Sequence, residues 1–412
     1  MTICKSSKTK TKIVMYKKLK ISAILLLGAI QMFAQESNKI DSIYGFKSKV
    51  DLKATSVKDQ YKSGTCWSYS GISFIESELL RMGKGEFDLS EMYIVNRDYH
   101  VRAIDYVRWN GAKSFSSGSE GCNVFNRVRD YGLVPQSVYA GLNYGTEKHM
   151  NKEMDAALKA YINAIITNPN GKLSTAWLAG FDGIMAAYLG EIPEEFEYDG
   201  KKYTPQQFRD KLGINPDDYL EFSSLTHHPL YSRFVMEVED NWELGDVYNV
   251  SLDELTDLAF YALDKGYTVL WGGDVTELGF SWKNGIAIVP ADETEEDLKG
   301  TDRDQLNQVD LSSDPHPNLF KKIVREETIT AEKRQASFDN RETTDDHGMH
   351  ITGYLTDRNG TRYFKVKNSW NTTNPYKGYI YMSENFYRFK TLTVLVHKDA
   401  VPKDLKKKLN IK

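Results

Sequence analysis

A short segment near residue 60 combines a side-chain amide, a glycine and a thiol, in the order Gln60-Tyr-Lys-Ser-Gly-Thr-Cys66-Trp67. Far downstream, Asp346-His347-Gly348-Met349 supplies an imidazole and Lys367-Asn368-Ser369-Trp370 supplies a second amide. Acyl transfer to a cysteine needs a thiol, a base, a group that orients the base and a donor to the oxyanion. The sequence therefore predicts cysteine-nucleophile chemistry on Gln60, Cys66, His347 and Asn368.

The residues after Cys66 predict the helix that would carry the nucleophile. Apolar side chains recur at steps of three and four, and Gly83 is a typical stop; these side chains are Ile72, Ile75, Leu79 and Met82. Cys66 then lies at a helix N-terminus, where free N–H groups and the helix dipole favour a lowered thiol pKa. A buried structural cysteine is the commoner role of an isolated Cys, but it explains neither Gly64 nor Gln60.

The base and its orienting amide are predicted to lie on a β-hairpin. Residues 347–355 and 361–368 have strand character and are joined by the turn-prone tetrad Asp357-Arg-Asn-Gly360. This tetrad faintly resembles the start of a calcium loop, but the later ligands of such a loop are missing. We interpret it as a turn.

Strand alternation chooses between two histidines of the first strand. His347 shares its parity with Met349 and Ile351, and Asn368 shares its parity with apolar residues of the second strand, so both side chains are expected on the apolar inner face. There the amide can fix the imidazole tautomer. His350 should face the other way, which also argues against a metal site formed by His347 and His350.

The N-terminal residues have the pattern of an export signal. Lys17, Lys18 and Lys20 precede an apolar run from Ile21 to Phe33, which predicts a secretory signal peptide over residues 1–34 and an exported, periplasmic or secreted protein. The run is short for a membrane span, so we expect no stable membrane association after cleavage, with an uncleaved anchor as the alternative.

Composition limits the other function classes. The 412 residues are 41% hydrophobic, enough for a large core and two lobes. Removal of the signal takes seven Lys and no acidic residue, so the formal charge falls from −4 to −11 and nothing favours nucleic acid. Of three cysteines only Cys66 and Cys122 would remain, which excludes a disulfide framework.

Four separated blocks resemble, in order, the catalytic blocks of papain-like cysteine peptidases: Gln60, Ser63–Ser68, His347–Met349 and Asn368–Trp370. The resemblance implies Cys66 as nucleophile, with its own N–H and the Gln60 amide in the oxyanion hole. It implies His347 as base and acid, Asn368 as its orienter, and Trp67 and Trp370 as supporting residues. It implies peptide substrates and no cofactor.

The interval of 281 positions from Cys66 to His347 exceeds that in compact papain-like enzymes. Lys202–Phe208, Leu270–Val275 and Ala331–Arg334 resemble the aminopeptidase C and bleomycin hydrolase branch, which implies aminopeptidase activity and a homo-hexamer. In that branch the C-terminal carboxylate enters the cleft and captures the substrate amine. The basic tail over residues 401–412 does not match the usual terminal sequence of the branch.

A substrate-contact strip is expected in Ser117-Gly-Ser-Glu-Gly-Cys122. Either Gly118 or Gly121 can be the equivalent of the glycine that faces the substrate backbone in papain-like enzymes. Glu120 is a candidate for binding a substrate ammonium, with a merely solvated surface carboxylate as the alternative.

The expected fold is α+β, with a papain-like two-lobe architecture. A mainly helical lobe over residues 35–265 carries Cys66 and a large helical insertion at about 140–265. A β-barrel-like lobe over residues 266–400 carries His347 and Asn368, and the active site lies in the cleft between the lobes. The acidic stretch 291–314 is expected to be a surface insertion without chemistry, and His227-His228-Pro229 a loop.

Three other functions stay compatible with these residues. An endopeptidase of the same fold would cut peptides with blocked N-termini, whereas an aminopeptidase would reject them. A transferase would pass the acyl group from the thioester to an added amine. A catalytically inactive peptide-binding module would not need all four polar groups.

Overall fold

The structure, a computed structural model, describes residues 40–168, 170–291 and 319–411. The predicted signal peptide and residues 292–314 of the acidic stretch lie outside this part of the chain. The α-helices are α1 (Cys66–Arg81), α2 (Glu91–Arg108), α3 (Gly121–Tyr131), α4 (Lys152–Ile166), α5 (Ala176–Leu189), α6 (Pro205–Leu212), α7 (Leu252–Asp264), α8 (Ala331–Asp339), α9 (Glu384–Lys390) and α10 (Lys403–Leu409). The strands are β1 (Lys47–Asp51), β2 (Phe196–Tyr198), β3 (Lys201–Tyr203), β4 (Tyr219–Ser223), β5 (Arg233–Val235), β6 (Asp246–Asn249), β7 (Val269–Gly273), β8 (Phe280–Ser281), β9 (Ile286–Ala287), β10 (His347–Thr356), β11 (Arg362–Lys367), β12 (Tyr379–Ser383) and β13 (Thr391–His397). The predicted α+β class is confirmed.

The helix that begins at Cys66 matches the prediction from its apolar periodicity. Thr65 precedes it at the N-cap position without a capping side-chain hydrogen bond, and the helix ends at Arg81, followed by Gly83 at φ +70°. Its buried apolar side chains join a core formed mainly by α1 to α6. Helices of this length owe most of their stability to such packing, so α1 is a rigid support for its first residue.

A single mixed sheet of eleven strands forms the β-rich part of the molecule. Its order is β5, β6, β4, β13, β7, β10, β11, β12, β9 and β8, with β1 added beside β10. Neighbouring strands are antiparallel except for β4 with β6 and β9 with β12. The terminal strands β5 and β8 do not pair with each other, so the sheet stays open where we had expected a barrel-like form.

The two faces of the sheet pack into different cores, as the alternation along β7 illustrates. Leu270 joins the helical core, whereas Val269 and Trp271 join a second core with α7, α9, β10 and β13. Residues 219–264 contribute three strands to one edge of the sheet and place α7 in this second core. The sheet is therefore covered on both faces.

Helix α1 crosses β10 and β7 on the helical side of the sheet. A glycine makes the closest approach possible, because a Cβ atom at Gly348 would lie 2.8 Å from Ser70 Oγ and 3.2 Å from Trp67 Cα. The absent side chain lets the start of β10 lie directly against the first turn of α1. This contact joins the residues of the two separated motifs.

Helix α10 packs the C-terminal tail against the second core. Leu405 and Leu409 are buried in the second core, and Lys408 forms a 2.6 Å ion pair with Glu254 at the start of α7. Among the residues that the structure describes, no helix combines the length and apolar character needed to cross a membrane.

Candidate active site

Cys66 is the first residue of α1 and lines a pocket that also contains His347. Its Sγ atom accepts hydrogen bonds from the backbone N–H groups of Trp67 and Gly348. Because Cys66 is in the first turn of the helix, its own N–H has no intrahelical acceptor. The thiol thus lies at the junction of α1 and β10, beside a free backbone donor.

The imidazole of His347 is held by Asn368, as strand parity predicted. His347 Nε2 lies 2.7 Å from Asn368 Oδ1, and this oxygen also accepts a hydrogen bond from the backbone N–H of Ser369. With an oxygen as its partner, Nε2 carries the proton and Nδ1 is the basic nitrogen. The Trp370 ring packs against the imidazole at a centroid distance of 4.7 Å, in the position expected for a shield of this bond.

His350 faces the opposite side of β10. Its Nδ1 lies 2.9 Å from Ser73 Oγ on α1, and its ring packs edge-to-face on Phe74. The side chain is fully buried and lies outside the pocket that contains Cys66. The alternation argument therefore assigned the two histidines to the correct faces.

Gln60 is fixed to the residue that follows Asn368. Its backbone N–H donates to Ser369 O at 2.9 Å, and its Oε1 accepts a hydrogen bond from Ser369 Oγ at 2.5 Å. One side-chain N–H donates to Ser63 O at 2.8 Å. The second N–H of the amide remains available to an oxyanion. The sequence did not predict the link through Ser369.

The expected lowering of the Cys66 pKa is wrong. Burial raises the pKa of this thiol to about 12, the hydrogen bond from Gly348 opposes the rise, and the nearby carboxyl groups of Asp345 and Asp240 increase it. Burial also lowers the pKa of His347 to about 4, against the effect of the Asn368 hydrogen bond. The effect of desolvation on the pKa of Cys66 is thus larger than that of the helix N-terminus. With these pKa values, the thiol and the imidazole are both neutral at pH 7.

The predicted strip Gly118 to Gly121 lines the same pocket as Cys66. Arg102, which is 1% exposed, donates to three backbone carbonyl groups of the strip region, including that of Gly118. Trp67 Nε1 donates to Ser117 O at 3.0 Å and links the strip to α1. A Cβ atom at Gly118 would overlap the Asp240 carboxyl group, so any other residue there would have to displace that side chain.

Gly121 begins α3 and lies against β7, where an added Cβ atom would come within 2.8 Å of Leu270 Cδ2. Cys122 is a free, partly buried thiol, and its sulfur donates a hydrogen bond to the Glu221 carboxylate. The thiol is thus engaged below the strip and forms no disulfide with Cys66.

Carboxyl groups from four separate parts of the chain also line the pocket, and sequence reasoning identified only one of them. They are Glu120, Glu221, Asp240, Asp345 and Asp346. The adjacency of Asp345 and Asp346 to His347 was a usable signal. Glu221 and Asp240 carry no local signal, because only the pairing of β4 with β13 and the loop before β6 bring them to the cleft.

The two histidines assigned to a loop do have a carboxylate neighbour, which the sequence did not reveal. His227 Nε2 lies 2.6 Å from Glu237 Oε2, and His228 Nε2 lies 3.6 Å from Glu237 Oε1. His227 Nδ1 is 3.2 Å from Gln335 Oε1. This cluster lies apart from the pocket of Cys66.

Comparison with known proteins identifies the relatives of this chain. The model of the Peptidase C1-like family matches residues 319–412. Aminopeptidase C of Lactobacillus helveticus is 24% identical, over 91% of this chain and 88% of the relative. Aminopeptidase W of Lactobacillus delbrueckii subsp. lactis is 26% identical, over 86% of this chain and 84% of the relative. Over most of its length the chain is similar to aminopeptidases C, W and G.

A solved structure of a similar protein has the same fold. The crystal structure of PepW from Lactobacillus rhamnosis HN001 aligns with a TM-score of 0.66, covering 98% of this chain and 95% of that chain at 20% identity. At this identity the likeness establishes the fold. The predicted papain-like α+β architecture is confirmed.

Proposed function

We propose that this protein is a cysteine aminopeptidase that releases N-terminal residues from peptides by way of a Cys66 thioester. The observation that carries the proposal is the 2.7 Å contact of His347 Nε2 with Asn368 Oδ1 beside a pocket that holds Cys66. The names of the relatives add the specificity, since aminopeptidases C, W and G all match most of the chain.

In the first half of the reaction, Nδ1 of His347 takes the thiol proton of Cys66 as Sγ attacks the scissile carbonyl carbon. The oxyanion that forms is stabilised by the Cys66 N–H and by the free N–H of the Gln60 amide. One such donor contributes about 3 kcal/mol to transition-state stabilisation in comparable enzymes. His347 then donates the proton to the leaving amine, and the C–N bond breaks to leave a thioester.

In the second half, His347 removes a proton from a water molecule that attacks the thioester carbonyl. The tetrahedral species collapses, the C–S bond breaks, and the thiolate recovers a proton from His347. Asn368 keeps Nε2 protonated throughout, so that Nδ1 serves as both base and acid.

One experiment tests the chemistry and the specificity together. Hydrolysis of a fluorogenic leucine amide is compared with that of its N-acetylated form, before and after thiol alkylation and in the Cys66→Ala variant. We expect turnover of the free amine alone, abolished by alkylation and by the substitution. Cleavage of the acetylated substrate would identify an endopeptidase, and acyl transfer to an added amine would identify a transferase. Absence of any cleavage would favour a peptide-binding module.

We further propose that the protein is exported. The proposal rests on Lys17, Lys18 and Lys20 before the apolar run Ile21–Phe33, which is the pattern of a signal peptide. N-terminal sequencing of the protein from cell fractions should give a mature chain that begins near residue 35, free of the membrane. An intact N-terminus in the cytoplasmic fraction would refute export.

The homo-hexamer implied by the family resemblance is likewise a proposal. Light scattering coupled to size exclusion should give six times the mass of one mature chain. A monomeric mass would exclude it.

A further inference from the structure

The five carboxyl groups of the cleft differ in how their oxygens are satisfied. Asp346 accepts hydrogen bonds from Thr276 and Thr344 at 2.9 and 3.1 Å. Asp240 accepts one from Ser116 at 3.1 Å and lies 3.9 Å from the Arg102 guanidinium. These groups have partners within the protein.

Glu221 is also satisfied, because its carboxylate accepts hydrogen bonds from Thr393 and from the Cys122 thiol. It is paired with β13 through the backbone of β4, so its position is fixed by the sheet. Together with Asp346 and Asp240 it forms a wall of the pocket that is rich in carboxyl groups but internally bonded.

Glu120 and Asp345 are the exceptions. Glu120 is only 6% exposed, and its Oε1 has no hydrogen-bond donor among the described residues; the same holds for Asp345 Oδ2. The two carboxyl groups face each other, so they can bond only by sharing a proton. Burial raises the pKa of both; repulsion from Asp345 adds to the rise at Glu120, and repulsion from Asp240 adds to it at Asp345. Two buried acceptor oxygens without donors cost free energy that a bound cation would recover.

The chemistry of the neighbouring residues indicates which cation fits. In an aminopeptidase substrate a single carbon atom separates the α-nitrogen from the carbonyl carbon that Cys66 attacks. The ammonium group must therefore lie in the pocket that contains Cys66 and His347, and Glu120 and Asp345 line this pocket. A lysine side chain would place its charge four methylene groups further away.

We propose that Glu120 and Asp345 form the binding site for the α-ammonium group of the substrate's N-terminal residue. The proposal rests on the proposed function. It assigns aminopeptidase specificity to the carboxyl groups of Glu120 and Asp345. Binding replaces the shared proton by the ammonium ion, and that proton leaves to solvent. The bound cation also offsets the negative charge that raises the pKa of the Cys66 thiol.

The first test measures binding without catalysis, in Cys66→Ala protein, with leucinamide and N-acetylleucinamide as probes. Calorimetry in buffers of different ionisation enthalpy should show that leucinamide binds with release of a proton and that the acetylated probe does not bind. Glu120→Gln and Asp345→Asn should each weaken leucinamide binding by about tenfold or more, as for a hydrogen bond to a charged group. Glu239→Gln, an exposed carboxylate next to Asp240, is the matched control and should change nothing.

The second test measures turnover of the fluorogenic leucine amide by the active protein, where Glu120→Gln should raise KM by a similar factor. Unchanged leucinamide binding in both variants would overturn the proposal. So would binding of N-acetyllysinamide that depends on Glu120, since this would indicate a side-chain site. A failure of the proposed function is recognised separately, because turnover would then persist in Cys66→Ala protein while the binding data still report on the carboxyl pair.

Discussion

Two buried clusters of charge lie on either side of Gly348, and they are built on opposite principles. The cluster behind the catalytic residues contains Lys58 and Lys367 with Glu76 and Glu91, two cations for two anions. The cluster in the cleft contains five carboxyl groups, with Arg102 near only one of them.

Hydrogen bonding shows the same contrast. In the rear cluster, Glu76 accepts from Leu89 N at 2.9 Å and from Thr55 Oγ1 at 2.5 Å, and Lys58 lies 2.6 Å from Glu91. In the cleft, Glu120 and Asp345 keep oxygens without donors. In a charge cluster that only supports the fold, the buried donors and acceptors are paired with one another. A cluster that binds a ligand leaves particular acceptor oxygens without a donor.

The largest expected effect separates the two histidines of β10. His347→Ala should reduce kcat/KM by about 10⁴-fold or more, as removal of a catalytic base does. His350→Ala should keep the activity per folded molecule and lose about 2 kcal/mol of stability, because the Ser73 hydroxyl loses its buried acceptor and keeps only the bond from Lys367. Kinetics and urea denaturation of both variants measure this. Loss of activity in the His350 variant alone would reverse the assignment.

The same substitution, Glu to Gln, should change the free energy of unfolding in opposite directions in the two clusters. Glu76→Gln breaks a buried, satisfied network and should cost about 3 kcal/mol of unfolding free energy. Glu120→Gln gives Asp345 a permanent N–H donor in place of the shared proton and should stabilise the protein by on the order of 1 kcal/mol at neutral pH. Urea denaturation at pH 7 compares them. Equal destabilisation by both would contradict the contrast between the clusters.

The neutral resting state of Cys66 can be read from its alkylation rate. Because burial raises its pKa to about 12, the thiolate fraction and hence the rate with iodoacetamide should rise about tenfold for each pH unit between pH 6 and 9. Cys66→Ala protein gives the background from Cys122. A rate that is constant across this range would indicate a preformed thiolate and imidazolium pair.

The smallest expected effect is a pH dependence of stability. The folded-state pKa values of Glu120 and Asp345 are raised above those of the unfolded chain, so the folded state holds protons that the unfolded state has lost. Their contribution to stability is full below about pH 4, the pKa of the unfolded groups, and declines as pH rises through the folded-state values. Glu120→Gln should flatten this decline in unfolding measurements from pH 4 to 8. An unchanged slope would show that the pair ionises freely.

The sequence by itself determined the local elements and which candidate catalytic residues share a face. The period of the apolar residues gave α1 from Cys66 to Arg81, and alternation gave the hairpin of β10 and β11 with its turn at Asp357–Gly360. The same alternation assigned His347 and not His350 to the side of Asn368. Local spacing carries this information because side-chain direction follows directly from backbone geometry.

Only the tertiary structure decided the electrostatics of the cleft. A helix N-terminus predicted a lowered Cys66 pKa, but burial and the carboxyl groups of Asp345 and Asp240 reverse the direction. Residues 219–264, within the predicted helical insertion, add strands to the open sheet and bring Glu221 and Asp240 to the pocket. Desolvation and the proximity of charges depend on which distant segments of the chain meet. The spacing of residues along the sequence gives no information about either.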